Sequence, residues 1–307
     1  TIMLALGFGG FTYALSNGAA NEFSVSTLSP SWSASLAFLP VIIYNYLGFE
    51  LMSGAGEEMK NPARDVPVAI VTSGAIIAFF YVFATLGILL ALPVSDIGLI
   101  QGLPDTFQRI FGTSTAGTAL TTVLIVMALY TFVANMTTWT LGANRSAAEA
   151  ANRGDLPAVF AKLHPVYLTP SSSAILCGVI SSVVLLLYGL LAKDTEDLFW
   201  TIFAFSSVVF LLPYFLLFLS FLKLRRIDAD RPRPYRVPGG HGVAVTLSVL
   251  CMVFILQAIV FFIYKPDAFE MTYALSVAGG VVLTVLVGEL LVRGRRPTPT
   301  MEANANV

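Results

Sequence analysis

The sequence predicts an all-α protein, a polytopic bundle of membrane-spanning helices. Three observations predict it. Of its 307 residues, 56% are hydrophobic and 11% are charged, with a mean hydropathy of +0.81; a soluble domain carries roughly 25% charged residues. The apolar residues fall in runs of about 20, the length that crosses the hydrocarbon core of a bilayer. The basic residues sit between those runs and are biased to one side. A soluble fold of this length has no interior large enough for so much apolar surface, so the bilayer is the solvent. The formal net charge of -1 gives no reason to expect nucleic acid as a partner; the lipids of the membrane are the expected surroundings.

Eight candidate spans follow in order, at about 1–15, 34–56, 67–92, 116–142, 171–191, 198–222, 242–264 and 272–292. The first is too short to cross alone, and the chain opens on Thr1. It is therefore expected to begin within a helix, as the C-terminal piece of a longer protein. It has no basic leader or small-residue cleavage site, so a signal peptide fits poorly. Of the 17 Lys and Arg, only Arg109, Lys193 and Lys265 fall in one set of connections; all others fall in the alternate set. The positive-inside rule then places the C-terminus and the N-terminal end of the first span in the cytoplasm, and the Lys- and Arg-free loop 16–33 outside. The domain reading is one transmembrane domain over 1–296 and a polar, disordered cytoplasmic tail over 297–307. The loop from Arg231 to Gly240 is basic and proline-rich. It reads as a positive-inside anchor with a stiff turn, or else as a lipid-headgroup contact.

Cys177 and Cys251 fall inside apolar runs, where they read as small buried hydrophobes rather than disulfide or zinc partners. The two histidines, His164 and His241, fall in polar connections, which removes most histidine-base and metalloenzyme chemistry. No catalytic residue, metal or cofactor is expected.

The second span is the unusual one. From Pro40 it reads through Tyr44-Asn45-Tyr46-Leu47-Gly48-Phe49-Glu50 to Ser53-Gly54-Ala55-Gly56. Glycine costs roughly 1 kcal/mol against alanine in a helix interior. A carboxylate near the bilayer centre costs about 2.5–3.5 kcal/mol on insertion scales. A discontinuous helix, unwound near Gly48 to Glu50, explains why both occur together: irregular backbone at membrane depth is tolerated where it lines a cavity, and the N-terminus of a second half-helix presents N–H groups to an anionic substrate group. The alternative is a continuous helix, with glycines for close packing and Glu50 paired to a neighbour. Beyond it, Asn61-Pro62 is expected to stop the helix, with Asp65 capping the next one and Pro67 in its first turn. The charges of this hairpin could also form gate pairs.

The fourth span carries Thr131, Asn135, Thr138 and Gly142 at helical spacing with Trp139 beside them. Such a polar stripe is expected to face the bundle or a cavity rather than lipid; Trp139 could instead anchor at the interface. The helix is expected to continue through Asn144–Asn152 and to end at Gly154. In the sixth span, Pro213 is expected to kink the helix. Ser206 and Ser207 are candidate site residues, or donors to their own helix. Glu289 can reach Arg293 at the interface and reads as structural.

These residues resemble a known family. Gly48-Phe49-Glu50 and the stretch from Glu57-Glu58 to Lys60-Asn61-Pro62, Arg64-Asp65 and Pro67 look like helix six, and the loop after it, of the amino acid–polyamine–organocation (APC) superfamily. Trp139 and Asn152-Arg153-Gly154-Asp155-Leu156-Pro157 resemble helix eight and its end. Leu212-Pro213-Tyr214, Lys223-Leu224-Arg225 and the run Arg233 to Pro238 resemble the close of helix ten and its loop. The match covers essentially the whole chain, as helices five to twelve of twelve. The resemblance implies a leucine-transporter-type fold of two inverted repeats, truncated here, with a substrate site at mid-membrane between broken helices one and six. It implies that Tyr44, Leu47, Gly48, Phe49 and Glu50 line that site, that Trp139 is its helix-eight wall or gate, and that Ser206 or Ser207 contributes from helix ten; Asn135, on the polar stripe beside Trp139, is a further substrate-binding candidate. Glu50 and Trp139 are then the gating or coupling candidates. It also implies a homodimer as an option, through the last two spans.

The expected function is secondary active transport, by symport or antiport, of an amino acid or related amine across the cell membrane by alternating access. The expected partner is that small molecule. A membrane-embedded enzyme would need a nucleophile–base pair or metal ligands at membrane depth, and the spans contain no histidine, no paired Asp and no Gly-x-Ser-x-Gly. A non-transporting sensor or chaperone on the same fold is the remaining alternative.

Overall fold

A computed structural model of the protein describes residues 1–29, 31–48, 59–99, 101–229, 231–233, 235–265 and 269–293. Among the described residues the chain is helical and no strand forms. The helices are α1 (Ile2–Asn17), α2 (Val25–Leu28), α3 (Trp32–Asn45), α4 (Pro62–Ala91), α5 (Gly102–Phe111), α6 (Thr115–Asn152), α7 (Ser171–Leu191), α8 (Thr195–Ile227), α9 (Gly240–Ile263) and α10 (Met271–Arg293). Helix is what a bilayer imposes, because the hydrocarbon offers no partner for a backbone N–H or C=O left unpaired within its own segment.

Six of these helices, α4 and α6 to α10, are long and apolar enough to cross a membrane, and the chain is a multi-pass membrane protein. Between 6% and 28% of each one's most apolar stretch is buried inside the chain. Most of their apolar surface is therefore left for lipid or further protein, the reverse of a water-soluble core.

The expected spans map onto these helices with shifted ends. The spacing placed the third span at 67–92, with Asn61-Pro62 as a stop and Asp65 as the cap. In the structure α4 already begins at Pro62; Asn61 holds the N-cap position and Asp65 lies in the first turn. Proline suits the first helical position, where its missing N–H would have had no partner. The helix α6 runs 38 residues to Asn152, roughly 57 Å at 1.5 Å per residue, so it outruns the hydrocarbon core. Its end is closed by Gly154, at φ 81, while the N–H of Asp155 donates to the carbonyl of Ala150 at 2.8 Å. The helix α8 continues unbroken past Pro213. At its start the Asp194 carboxylate accepts the backbone N–H of Asp197 at 2.8 Å, an N-cap.

The packing divides into two compact units. The first comprises Thr1–Ala128 and Ser207–Glu270. In it α1 lies along α4, and small residues set the approach: a side chain at Gly10 would strike the backbone of Gly87, and one at Gly87 the backbone of Leu6. Leu6, Ala84, Phe107 and Leu124 form one buried cluster. Phe107 belongs to α5, an element absent from the eight-span reading. It is short and carries Asp105 and Arg109 at its ends, so a search for long apolar runs passes over it, yet Thr106 and Phe107 are fully buried. Asn21 ties the loop after α1 to the end of α4, donating to the carbonyls of Leu89 and Leu92 at 2.6 and 2.8 Å and accepting from the N–H of Val94 at 3.1 Å. The helix α3 packs on α9.

The second unit comprises Leu129–Ser206 and Met271–Val307. Its organising residue is Tyr188 of α7, which is buried. Its hydroxyl donates to the carbonyl of Ser276 on α10 at 3.1 Å, and its ring lies 5.3 Å from that of Phe205 on α8. Gly280 leaves room for both, since a Cβ there would meet the Tyr188 hydroxyl and the Phe205 ring. Glu289 pairs with Arg293 at 2.8 Å, as its spacing on the last turn predicts. The tail expected from residue 297 lies outside the described residues.

Candidate functional site

The span that carried both glycine and glutamate does not run as one helix. The helix α3 ends at Asn45. The next two bonds are of the tighter three-residue kind, from the N–H of Tyr46 to the carbonyl of Ile43 at 3.2 Å and from the N–H of Leu47 to the carbonyl of Tyr44 at 3.1 Å. The chain then leaves helical geometry, and Gly48 takes φ 102, a region closed to most residues with a Cβ. The helix thus stops some three residues before the unwinding expected at 48–50. Phe49 and Glu50, with the glycines that follow them, lie outside the described residues.

A helix terminus leaves its last carbonyls without intrahelical donors. Here one is taken up from outside: the hydroxyl of Tyr81 on α4 donates to the carbonyl of Asn45 at 3.1 Å. The ring of Tyr81 also meets that of Tyr46 edge-on, at 5.7 Å between centroids. Upstream, Pro40 is fully buried in α3 and, lacking an N–H, makes no bond to the turn before it. The Tyr44 ring stands edge-on to Phe210 of α8 at 6.0 Å, and Phe210 contacts Tyr214 at 5.4 Å. The first unit therefore gathers Tyr44, Leu47 and Gly48, all half-buried, beside an aromatic row that ends near Pro213.

The other expected site residues stand as follows. Ser207, in the first unit, is fully buried. In the second unit, the Ser206 hydroxyl donates to the carbonyl of Phe203 in its own helix at 3.0 Å. Asn135, Thr138 and Trp139 on α6 are exposed, Trp139 by 41%, and the Thr138 hydroxyl donates to the carbonyl of Ala134 one turn back. The polar stripe was expected to face the bundle or a cavity; among the described residues Thr131, Asn135, Thr138 and Trp139 are exposed. Sequence reasoning did not pick out Tyr81 or Phe210. The signal for Tyr81 is a hydroxyl in an apolar run that also carries Thr72, Ser73 and Thr85, and nothing in the sequence pairs it with a residue 36 positions earlier.

Comparison with known proteins agrees with this architecture. Residues 1–287 match the family model described as amino acid permease. The chain is 34% identical over 295 residues to the probable agmatine/putrescine antiporter of Lactococcus lactis subsp. lactis, covering 95% of this chain and 62% of that protein. It is 22% identical over 272 residues to a glutamate/gamma-aminobutyrate antiporter of the same organism, covering 84% of this chain and 53% of the other. It is 25% identical over 225 residues to a branched-chain amino acid permease of Bacillus subtilis, covering 71% and 44%. The chain thus spans about three-fifths or less of the length of these curated relatives.

Proposed function

The chain belongs to the amino acid permease family, and from that premise we propose that the complete protein is a secondary active transporter of amino acids or related amines, working by alternating access. One observation carries the reading to the site. The helix of the second hydrophobic span stops at Asn45 and the chain passes through Gly48 at φ 102, two residues before Glu50 in the sequence. Non-helical backbone at such a break can line a polar ligand site at membrane depth, and Glu50 supplies the charge that an ammonium group needs. The name of the agmatine/putrescine antiporter, 34% identical, favours an amine-bearing substrate taken up in exchange for another.

In this reading Tyr44, Leu47, Gly48 and Phe49 line the ligand, and Glu50 holds its ammonium group or couples its movement to a proton. Asn135 and Trp139 of α6 and Ser206 and Ser207 of α8 are proposed as further contacts, and Trp139 as a gate. The distribution of Lys and Arg puts the C-terminus in the cytoplasm of a cell-membrane protein. A homodimer through the last two spans belongs to the same reading.

The test is flux. The complete gene product, reconstituted in liposomes, is offered labelled amino acids and amines, with and without a proton gradient and with internal counter-substrate. Uptake of one class that depends on the gradient or on exchange is expected. Saturable binding with no flux of any compound would replace the transporter by a sensor on the same fold.

A further inference from the structure

We propose that the basic pocket at the α8–α9 connection, with the apolar groove that opens from it, binds an anionic phospholipid. Both cavities lie within the first unit. The basic one, of about 360 Å³, is lined by Arg225, Arg233, Arg236 and His241. The apolar one, of about 690 Å³, is lined by Pro62, Val66, Ile70 and Val71 of α4, by Phe221 of α8 and by Tyr235. Arg225, Arg233 and Val237 line both, so the two form one depression, charged at one end and apolar at the other.

The order of the two ends follows the helices. Val71 lies nine positions after Pro62, about 13 Å along the helix, so the groove runs from the start of α4 well into its apolar stretch. Phe221 sits one turn deeper in α8 than Arg225. The charged end therefore lies where the spans leave the membrane and the apolar end where hydrocarbon begins. A phospholipid presents the same order, phosphate above acyl chain.

The charged end is held ready for an anion. Arg233 is fixed by donating to the carbonyls of Ala229 at 3.0 Å and Asp228 at 2.6 Å. The Arg225 guanidinium lies 4.6 Å from the centre of the Phe221 ring, and its Nε is buried with no hydrogen-bond partner among the described residues. A buried donor on a permanent cation is costly unless an acceptor meets it. Asp228, the carboxylate described in this connection, is paired with Arg231 at 3.5 Å. A phosphodiester supplies a negative charge and acceptor oxygens to the arginines that line the pocket, and basic pockets between membrane helices recognise lipid headgroups in this way. A free phosphate would satisfy the arginines but leave the larger, apolar cavity unfilled.

Native mass spectrometry of the complete gene product in detergent tests this, with phosphatidylglycerol titrated against phosphatidylcholine of the same chains. Phosphatidylglycerol should be retained at concentrations about tenfold lower. Arg225→Gln should cancel that preference. Arg236→Gln, at an exposed position that leaves α8 intact, should reduce it several-fold. Val71→Trp fills the groove without touching a charge and should weaken retention of phosphatidylglycerol by a similar factor. Equal retention of the two lipids by the wild type would overturn the proposal. So would unchanged retention in both Arg236→Gln and Val71→Trp, or full displacement by millimolar inorganic phosphate, which would make the pocket a soluble-anion site.

Discussion

The hydroxyl of Tyr81 donates a hydrogen bond of 3.1 Å to the backbone carbonyl of Asn45, the last residue of α3. The bond joins two helices at the point where one of them ends, inside a membrane protein whose hydrocarbon surroundings supply no other donor. Tyr81 thus both satisfies one carbonyl of the terminus and ties its position to α4.

Tyr81→Phe keeps the ring against Tyr46 and removes the donor. Hydrogen bonds between membrane helices average about 0.6 kcal/mol, so the loss of stability should be small, a degree or two in a thermal-shift assay in detergent. Uptake should fall more than stability, because the carbonyl end next to the break is no longer held. Wild-type uptake at all substrate concentrations would remove Tyr81 from the positioning role.

Gly48 has φ 102, where a Cβ costs roughly 1–3 kcal/mol. Gly48→Ala should lower both the yield of folded protein and uptake. Gly48→Asn should retain more of each, since asparagine tolerates left-handed backbone better than alanine. Equal behaviour of the two variants would mean that backbone strain at this residue is not what the glycine relieves.

Glu50→Gln retains size and hydrogen-bonding capacity and removes the charge. Under the transport reading, uptake should fall or lose its dependence on pH. Substrate binding and flux measured from pH 5 to pH 8 decide this; a variant that matches the wild type throughout deprives Glu50 of the electrostatic role.

Tyr188 and Gly280 form a matched pair: a methyl at Gly280 would meet the tyrosine hydroxyl and the Phe205 ring. Gly280→Ala should therefore destabilise the second unit by about 1–3 kcal/mol. Tyr188→Phe should cost less alone and should recover part of the Gly280→Ala loss in the double variant. A double-mutant cycle from thermal unfolding reads this coupling, expected at about 0.5–3 kcal/mol; strict additivity would show that the contact is not formed.

Much of the architecture was legible in one dimension. Crossing a bilayer needs a run of apolar residues of set length, and the run at 171–191 coincides with α7 (Ser171–Leu191). Helix ends were less legible. Several residues near a helix start can cap it, so the sequence points to Asp65 as the cap where Asn61 holds that position and Pro62 opens the helix. The short α5 was invisible because its four large apolar residues are spread over ten positions with Asp105, Gln108 and Arg109 among them, and what holds it is the buried contact of Phe107 with Leu6, Ala84 and Leu124. In the candidate site, Gly48 announced the break by its cost in a helix, but Ser206 could not be assigned in advance. Whether a serine bonds its own helix or faces a ligand depends on rotamer and neighbours, and in the structure it bonds Phe203.

By itself the sequence determined the helical class, the number and order of hydrophobic runs, the clustering of Lys and Arg in alternate connections, and the presence of a costly glycine–glutamate span. Each is a property of local composition, and the bilayer converts local composition directly into structure. Only the tertiary structure decided where α3 stops, which residue completes its terminus, that α1 and α4 touch through Gly10 and Gly87, and that Arg225 lies over an apolar groove reaching Val71. Those depend on pairs of residues far apart in the chain, and their distance in space is set by packing rather than by spacing along the sequence.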